Sequence, residues 1–365
     1  MICYLVTEAG NHTMVEYLDT WGETLRDRVT VVTYESVFRR DRIPRADTYI
    51  YSDLERLTPG LMSAALALRE MLEAQTAPPR LLNHPGRTLR RYALLRMLHE
   101  RGINRFKARR VSEGFDDMTY PVFIRGENDH DGNRTALLNG PDELRPALNA
   151  LWWRGISAQE LLVTEFCDTA DDTGLYRKYA AFIVGREVIA RHLLFGETWM
   201  LKVPQVSEEH ITTRGIDRKA LADEQMTYVR SNPHAEQLRA IAADAGVEFG
   251  RIDYGLHDGR IQVWEINTNP AVLHSPSSYR PINLPTHELF ARRIRAAFES
   301  LDGSSAGELT LQLPAHLRRG ILRDRFGHYL RRRRRRLLRW YHHSPLMRWT
   351  VPATVRAHLA AMPGK

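Results

Sequence analysis

The stretch Phe249–Leu273, FGRIDYGLHDGRIQVWEINTNPAVL, decides how the rest of the chain is read. It holds two short apolar runs, Arg251–Leu256 and Ile261–Asn267, separated by His257-Asp258-Gly259-Arg260. Asp-Gly between alternating apolar segments is the turn that joins two antiparallel strands. A hairpin closed there brings Asp253 towards Glu265 and Asn267. Residues two apart in a strand point to one face, so Glu265 and Asn267 share a side and Arg251 lies on the same side as Asp253. The result is a set of three hard oxygen ligands, Asp253, Glu265 and Asn267, in one small volume. Oxygen-only sets suit Mg²⁺, which keeps several waters and leans on phosphate oxygens.

The chain has 365 residues, enough for two or three compact domains. At 43% hydrophobic and 26% charged residues it has the composition of a globular protein and not of a disordered one. Cys3 and Cys167 lie far apart and match no disulfide or zinc framework, which favours a reducing compartment. No basic leader and no bilayer-length apolar stretch is visible, so a cytoplasmic protein is expected. The net charge of +8 is unevenly placed. Residues 303–365 carry thirteen Arg and one Lys against Glu308 and Asp324, a net +12, which leaves −4 for residues 1–302. Attraction to anionic partners therefore belongs to the C-terminal segment.

Residues 1–80 alternate strand and helix: strands at Ile2–Val6, Val29–Thr33 and Thr48–Tyr51, helices over His12–Leu25 and from Pro59. This is a parallel sheet with helices packed on it. No Gly-x-Gly-x-x-Gly follows the first strand, so the dinucleotide fingerprint is absent. A helix with Arg90 and Arg91 in its first turns ends at Gly102. Tyr120–Arg125 reads as a strand ending in a cation, followed by a polar loop at 126–134 and an apolar Ala136–Leu138 strand; such a loop can fold over phosphates. Leu161–Phe166 is a strand running into Cys167-Asp168 and Asp171-Asp172. Lys178–Val184 and Glu187–His192 form a second hairpin bearing Lys178, Arg191 and His192, with Lys202 beyond it. Residues 219–246 are helical, broken at Asn232-Pro233.

Taken together, this order resembles the ATP-grasp superfamily of carboxylate–amine ligases, which includes D-alanine–D-alanine ligase and the glutamate ligases of ribosomal protein tails. The resemblance covers roughly residues 80–290, with its most specific part at 249–271. It implies an α/β and α+β fold: a pre-ATP-grasp domain at 1–80, an ATP-grasp domain at 81–300 with a lid at about 110–170, and a basic, largely helical tail at 301–365. It assigns two Mg²⁺ ions, replaceable by Mn²⁺, to Asp253, Glu265 and Asn267. ATP would fall to Arg91 and Arg125 at the phosphates, Glu165-Phe166-Cys167 at the purine edge, Asp172 at the ribose (with Asp168 and Asp171 competing) and Lys178. Arg251, which would contact the transferred phosphate, and Lys202 take the catalytic roles. Arg191, His192, Lys202 and the loop Ala271–Tyr279 are placed to touch substrate. The family usually has Lys where this chain has Arg91 and Arg125, which keeps charge but changes a point donor into a fork. Ala271 stands where a Gly is common.

The implied reaction joins a small-molecule or peptide carboxylate to an amine through an acylphosphate, with closure of residues 126–134 over the nucleotide. A kinase acting on a hydroxyl, or a nucleotide-responsive binding protein acting through its tail, are the alternatives. In the tail, Leu322, Phe326, Tyr329, Leu330, Leu337, Trp340 and Tyr341 recur near helical spacing around Arg331–Arg336. A basic amphipathic helix of this kind, over residues 318–341, suits an anionic membrane surface or an acidic polymer, with nucleic acid behind these. That gives an expected cytoplasmic location with a peripheral place at a membrane.

Overall fold

The computed structural model describes residues 1–128, 132–204 and 206–342. In chain order the elements are β1 (Ile2–Val6), α1 (His12–Leu18), β2 (Val29–Thr33), α2 (Tyr34–Arg40), β3 (Arg42–Pro44), β4 (Thr48–Tyr51), α3 (Pro59–Glu73), β5 (Arg80–Leu82), α4 (Arg91–Glu100), β6 (Ala108–Arg110), β7 (Val122–Gly126), α5 (Pro141–Trp153), β8 (Leu161–Glu165), β9 (Tyr176–Val184), β10 (Glu187–Gly196), α6 (Glu208–Arg214), α7 (Arg218–Ser231), α8 (Ala235–Asp244), β11 (Phe249–His257), β12 (Arg260–Asn267), α9 (Leu284–Glu299), β13 (Glu308–Thr310) and α10 (Ala315–His342). The described residues group into two compact units: Met1–Arg90 with Thr169–Ile321, and Arg91–Asp168 with the described residues from Leu322 on.

The first unit holds a parallel sheet ordered β2-β1-β4-β5 and an antiparallel sheet ordered β10-β9-β11-β12. Every residue of β1 is buried, as a parallel strand covered on both faces must be. α3 starts where Thr58 accepts from Leu61 N and Pro59 occupies the first turn, and it buries Leu61, Ala64, Ala65, Leu68 and Leu72. The segment after residue 302, expected to be tail, partly belongs to this core. β13 pairs antiparallel with β3, and Leu311, Leu313 and Ile321 pack among Tyr34, Phe38, Ile43 and Leu61.

Two anchors tie the β11–β12 hairpin to the parallel sheet. Asn83, fully buried at φ +62°, donates to the carbonyls of Tyr51 and Phe249 and accepts from the amides of Glu248 and Phe249. At the other end, Glu55 accepts from the amide and hydroxyl of Thr268, while Asn269 accepts from Tyr4 and Thr13 and donates to Gly10 O. The candidate ligands thus sit on a strand pair fixed at both ends. α9 covers one face of the antiparallel sheet, with Phe290 against Phe182 and Phe298 against Phe249.

The second unit contains the three-stranded antiparallel sheet β6-β8-β7, with α5 burying Leu144, Ala147, Ala150 and Leu151 against Val122, Ile124 and Val163.

The mixed α/β and α+β character expected from the sequence holds, with local differences. The helix expected over His12–Leu25 stops at Leu18, and a separate 3₁₀ turn covers Glu23–Leu25. Gly22 N bonds back to Tyr17 O, and a side chain there would meet the Tyr17 ring at 2.7 Å. Ala136–Leu138 is not a strand. The Ile124 amide is taken by the Thr135 hydroxyl and its carbonyl by Arg134 N, so only isolated bridges at Asn133 and Leu138 face β7. α2 was not anticipated; Thr33 caps it by accepting from Ser36 N. Residues 129–131 of the expected lid loop lie outside the described residues, as do residues 343–365 and the side chains at 331, 332, 334, 335, 340 and 341. Among the described residues, no helix is long and apolar enough to cross a membrane.

Candidate active site

In the first unit the antiparallel sheet lines up chemistry across four strands. His192 pairs with Ala180, Ala180 with Asp253, and Asp253 with Glu265. Paired residues project to the same face, so His192, Asp253 and Glu265 share one side, separated at β9 only by a methyl group. The next row brings Arg251 opposite Asn267.

A bulge makes this register possible. The Asp258-Gly259 turn has φ of +50° and +72°, as a two-residue hairpin loop requires, and it pairs His257 with Arg260. Counting outward from that turn without interruption would set Asp253 against Trp264. Instead the register shifts between Asp253 and Tyr254, leaving Trp264 as the extra residue and Glu265 opposite Asp253. The Trp264 ring lies over Gly255, where an added Cβ would stand 2.9 Å from it.

Asp253 is 1% exposed. Arg251 grips it with two bonds, Nε to Oδ1 at 2.7 Å and Nη2 to Oδ2 at 3.1 Å, and Lys178 Nζ lies 2.8 Å from Oδ2. Burial and the facing Glu265 push the Asp253 carboxyl up, but Arg251 and Lys178 outweigh them and hold it below its ordinary value. Asn267 accepts from Asn269 N at 2.8 Å, which orients its side-chain oxygen. Two carboxylates face to face, with an amide oxygen on the neighbouring row, form a donor set that fits Mg²⁺, whose charge would relieve their mutual repulsion. The set has only two carboxylates, and among the described residues no group of three or more His, Cys, Asp or Glu is arranged to hold a metal ion.

A second bulge lies on β10, where the register shifts between Ala190 and His192 and Arg191 is the extra residue. Arg191 is 5% exposed. It donates from Nε to Val272 O at 2.9 Å, from Nη1 to His287 Nδ1 at 3.0 Å and from Nη2 to Tyr279 Oη at 3.1 Å, and its guanidinium lies over the Phe290 ring. Burial, then the Arg191 charge, lowers His287 to about 3, so its imidazole is neutral and accepts. Burial and the charges of Arg191, Arg251 and Lys178 hold His192 well below its ordinary value. The structure therefore joins Arg191 to the loop Ala271–Tyr279, two features that the sequence placed beside substrate separately. Lys202 lies exposed in the irregular segment after β10.

In the second unit Arg91 is buried at the start of α4 and donates to Gly126 O at 2.7 Å and Glu127 O at 3.4 Å, tying α4 to the end of β7. Arg125 is half-buried on β7. The Glu165 carboxylate accepts from the amides of Lys107 and Thr119, and the Phe166 amide donates to Pro121 O. Cys167 is half-buried. Glu127, in the 126–134 loop, is gripped by Arg110 at 2.6 and 2.8 Å. Of the three candidate ribose acids, Asp171 is engaged by Thr173, the Leu175 amide and Arg177, while Asp168 and Asp172 are exposed. His287 carried no signal in the sequence, because its partner Arg191 is 96 residues away.

No family model and no curated protein matches the chain. Among solved structures it is similar to D-alanine–D-alanine ligase from Bacillus anthracis complexed with ATP, at 13% identity and a TM-score of 0.44, over 81% of this chain and 98% of that one. It is also similar to carboxyaminoimidazole ribonucleotide synthase from Aspergillus clavatus complexed with ATP, at 14% identity and a TM-score of 0.48, over 86% and 78% of the two chains. A third is the ATP-grasp ligase PsnB complexed with a phosphomimetic variant of its minimal precursor, Mg and ADP, at 12% identity and a TM-score of 0.43, over 80% and 96%.

Proposed function

We propose that this chain is an ATP-grasp enzyme that binds Mg-ATP and activates a carboxylate by phosphoryl transfer for attack by an amine. The observation that carries this is the pairing of Asp253 with Glu265, with Asn267 and Arg251 on the adjoining row and Lys178 on the same face. Asp253, Glu265 and Asn267 would hold the metal. Bound Mg²⁺ supplies charge neutralisation at the transferring phosphoryl oxygens. Arg251 and Lys178 share the charge of Asp253 and would face phosphate oxygens beside a metal held there. Asn269 and Glu55 hold the strand end so that Asn267 does not wander. The products would be an amide, ADP and phosphate. For the purine and ribose, the assignment to Glu165-Phe166-Cys167 and Asp172 is kept, with the Phe166 amide already used by Pro121.

The test is Mg²⁺-dependent ADP release by the full chain with pooled amino acids and carboxylic acids. Asp253→Asn and Glu265→Gln should each lower turnover by about 100-fold and raise the Mg²⁺ needed for half-maximal rate. Full turnover in both variants would remove the proposal.

A second activity is supported by α10. Its first two turns are anchored: Leu317 and Ile321 pack in the core and Arg318 pairs with Asp41. Beyond them Leu322, Phe326, Tyr329, Leu330 and Leu337 are exposed, each near or above half of their surface. At 100° per residue these five fall within one stripe, on a stretch with nine arginines and one aspartate between 322 and 342. We read this as a surface for anionic lipid. Flotation with phosphatidylserine vesicles at physiological salt should recover the full chain and not a chain ended at Ile321. Equal recovery of the two excludes it.

A further inference from the structure

The electrostatics of the antiparallel sheet leave one charge without an answer. Lys178 and Arg251 are matched by Asp253, with Glu265 beside them. Arg191 is at least as deeply buried as either, yet its direct partners are a carbonyl, a phenol, a neutral imidazole and an aromatic ring. Among the described residues no carboxylate lies within ion-pair distance of it. A buried cation without an anion is costly, and a protein that only needed to fill this space would gain by placing an apolar side chain there.

The bonding count points the same way. A guanidinium has five N–H donors in a planar fork. Three are used, one on each nitrogen, which leaves one N–H on Nη1 and one on Nη2. Tyr279 Oη accepts from Arg191 and from the His274 amide at 2.9 Å, so its own hydroxyl proton is left to donate. His192, next in the chain, has a buried Nε2 with no hydrogen-bond partner among the described residues. The bulge at Arg191 breaks the strand's alternation and brings these neighbouring side chains towards one side. Guanidinium N–H donors and a hydroxyl donor are groups that a carboxylate takes. The rings of Tyr279 and His287, with centroids 3.8 Å apart and planes tilted by 33°, hold the fork in place.

We propose that Arg191, with the Tyr279 hydroxyl and His192 beside it, is the subsite that binds a carboxylate of the substrate. This rests on the ligase reading above, and it restricts that reading to a substrate that carries an anionic carboxylate at this point, such as an amino acid or a peptide end. The subsite lies on β10, beyond β9 from the strand pair that bears Asp253 and Glu265. The shared chemistry is an oxyanion, and phosphate is its other source.

The experiment is thermal unfolding of the full chain in acetate, glycine or inorganic phosphate, each against chloride at equal ionic strength, with and without Mg²⁺ and a non-hydrolysable ATP analogue. Acetate and glycine should raise the wild-type midpoint by about 2 °C, with or without the nucleotide. The shift should vanish in Arg191→Met, return in part in Arg191→Lys and shrink in Tyr279→Phe, which removes only the hydroxyl. Without added anion, Arg191→Met should melt at or above the wild-type midpoint, since an unmatched charge has been removed. A large loss of stability in Arg191→Met, with equal carboxylate shifts in wild type and Tyr279→Phe, would show that Arg191 only ties the 272–279 loop to α9 and would overturn the proposal. So would stabilisation by phosphate alone that the nucleotide abolishes. Failure of the nucleotide analogue to bind the wild type, with the carboxylate shift intact, would instead defeat the ligase reading and leave the subsite standing.

Discussion

His287 and His192 are buried as neutral imidazoles among cations, and this has a cost that depends on pH. An unfolded histidine ionises near 6.5, whereas His287 in the folded chain does so only near about 3. Between those values the unfolded chain binds a proton that the folded chain refuses. Stability is therefore full above about pH 6.5 and is lost as the pH falls towards 3, at about 1.4 kcal/mol per pH unit for His287. His192 acts in the same direction. Urea unfolding at a series of pH values should show this slope, and His287→Gln should flatten it. An unchanged slope in that variant would mean that His287 is not the group responsible. Neither histidine stood out as a titrating group in the sequence; burial, which only the fold produces, is the larger cause for both, and the Arg191 charge adds to it.

The β11–β12 hairpin shows how much an element depends on residues that have no chemistry of their own. The two strands approach so closely at Gly250 that a Cβ there would stand 2.8 Å from Asn267 O, a backbone atom that cannot swing aside. Gly250→Ala should cost about 1–3 kcal/mol. Because the displaced atom belongs to a candidate metal ligand, it should also raise the Mg²⁺ concentration for half-maximal turnover. Calorimetric unfolding and a Mg²⁺ titration check the two parts, and a variant with unchanged stability and Mg²⁺ response would show that the strands have slack. On β7 the opposite holds: an expected partner strand at Ala136–Leu138 is absent because the Thr135 side chain replaces a ladder bond, and side-chain substitution for backbone pairing has no periodic signature.

For the whole chain, the segment between α9 and α10 matters more than its composition suggests. Reading charge alone, residues 303–365 form one basic tail. The fold divides them. Leu311 and Leu313, at 5% and 7% exposure, close the core under the parallel sheet, and only from Leu322 onward do the large apolar side chains face outward. Leu311→Ala and Leu313→Ala should each cost about 2–4 kcal/mol, whereas ending the chain at Ile321 should leave the melting temperature nearly unchanged. If that truncation destabilised the protein as much as the leucine changes, the helix beyond Ile321 would be part of the core after all.

The sequence by itself determined most of the strand and helix order, the parallel character of the first sheet, the Asp258-Gly259 turn and the residue types of the candidate site, because periodicity, turn chemistry and ligand class are local properties. It placed Asp253, Glu265 and Asn267 in one volume, yet the uninterrupted register from that turn would have set Trp264 opposite Asp253. Only the tertiary structure decided otherwise: the indole of Trp264 settles over Gly255, the strand bulges by one residue, and Glu265 comes to face Asp253. The same holds for Arg191, whose setting depends on a second bulge and on Tyr279 and His287, 88 and 96 residues further along. Strand register and long-range partners are settled by packing between distant segments, and a linear pattern carries no record of them.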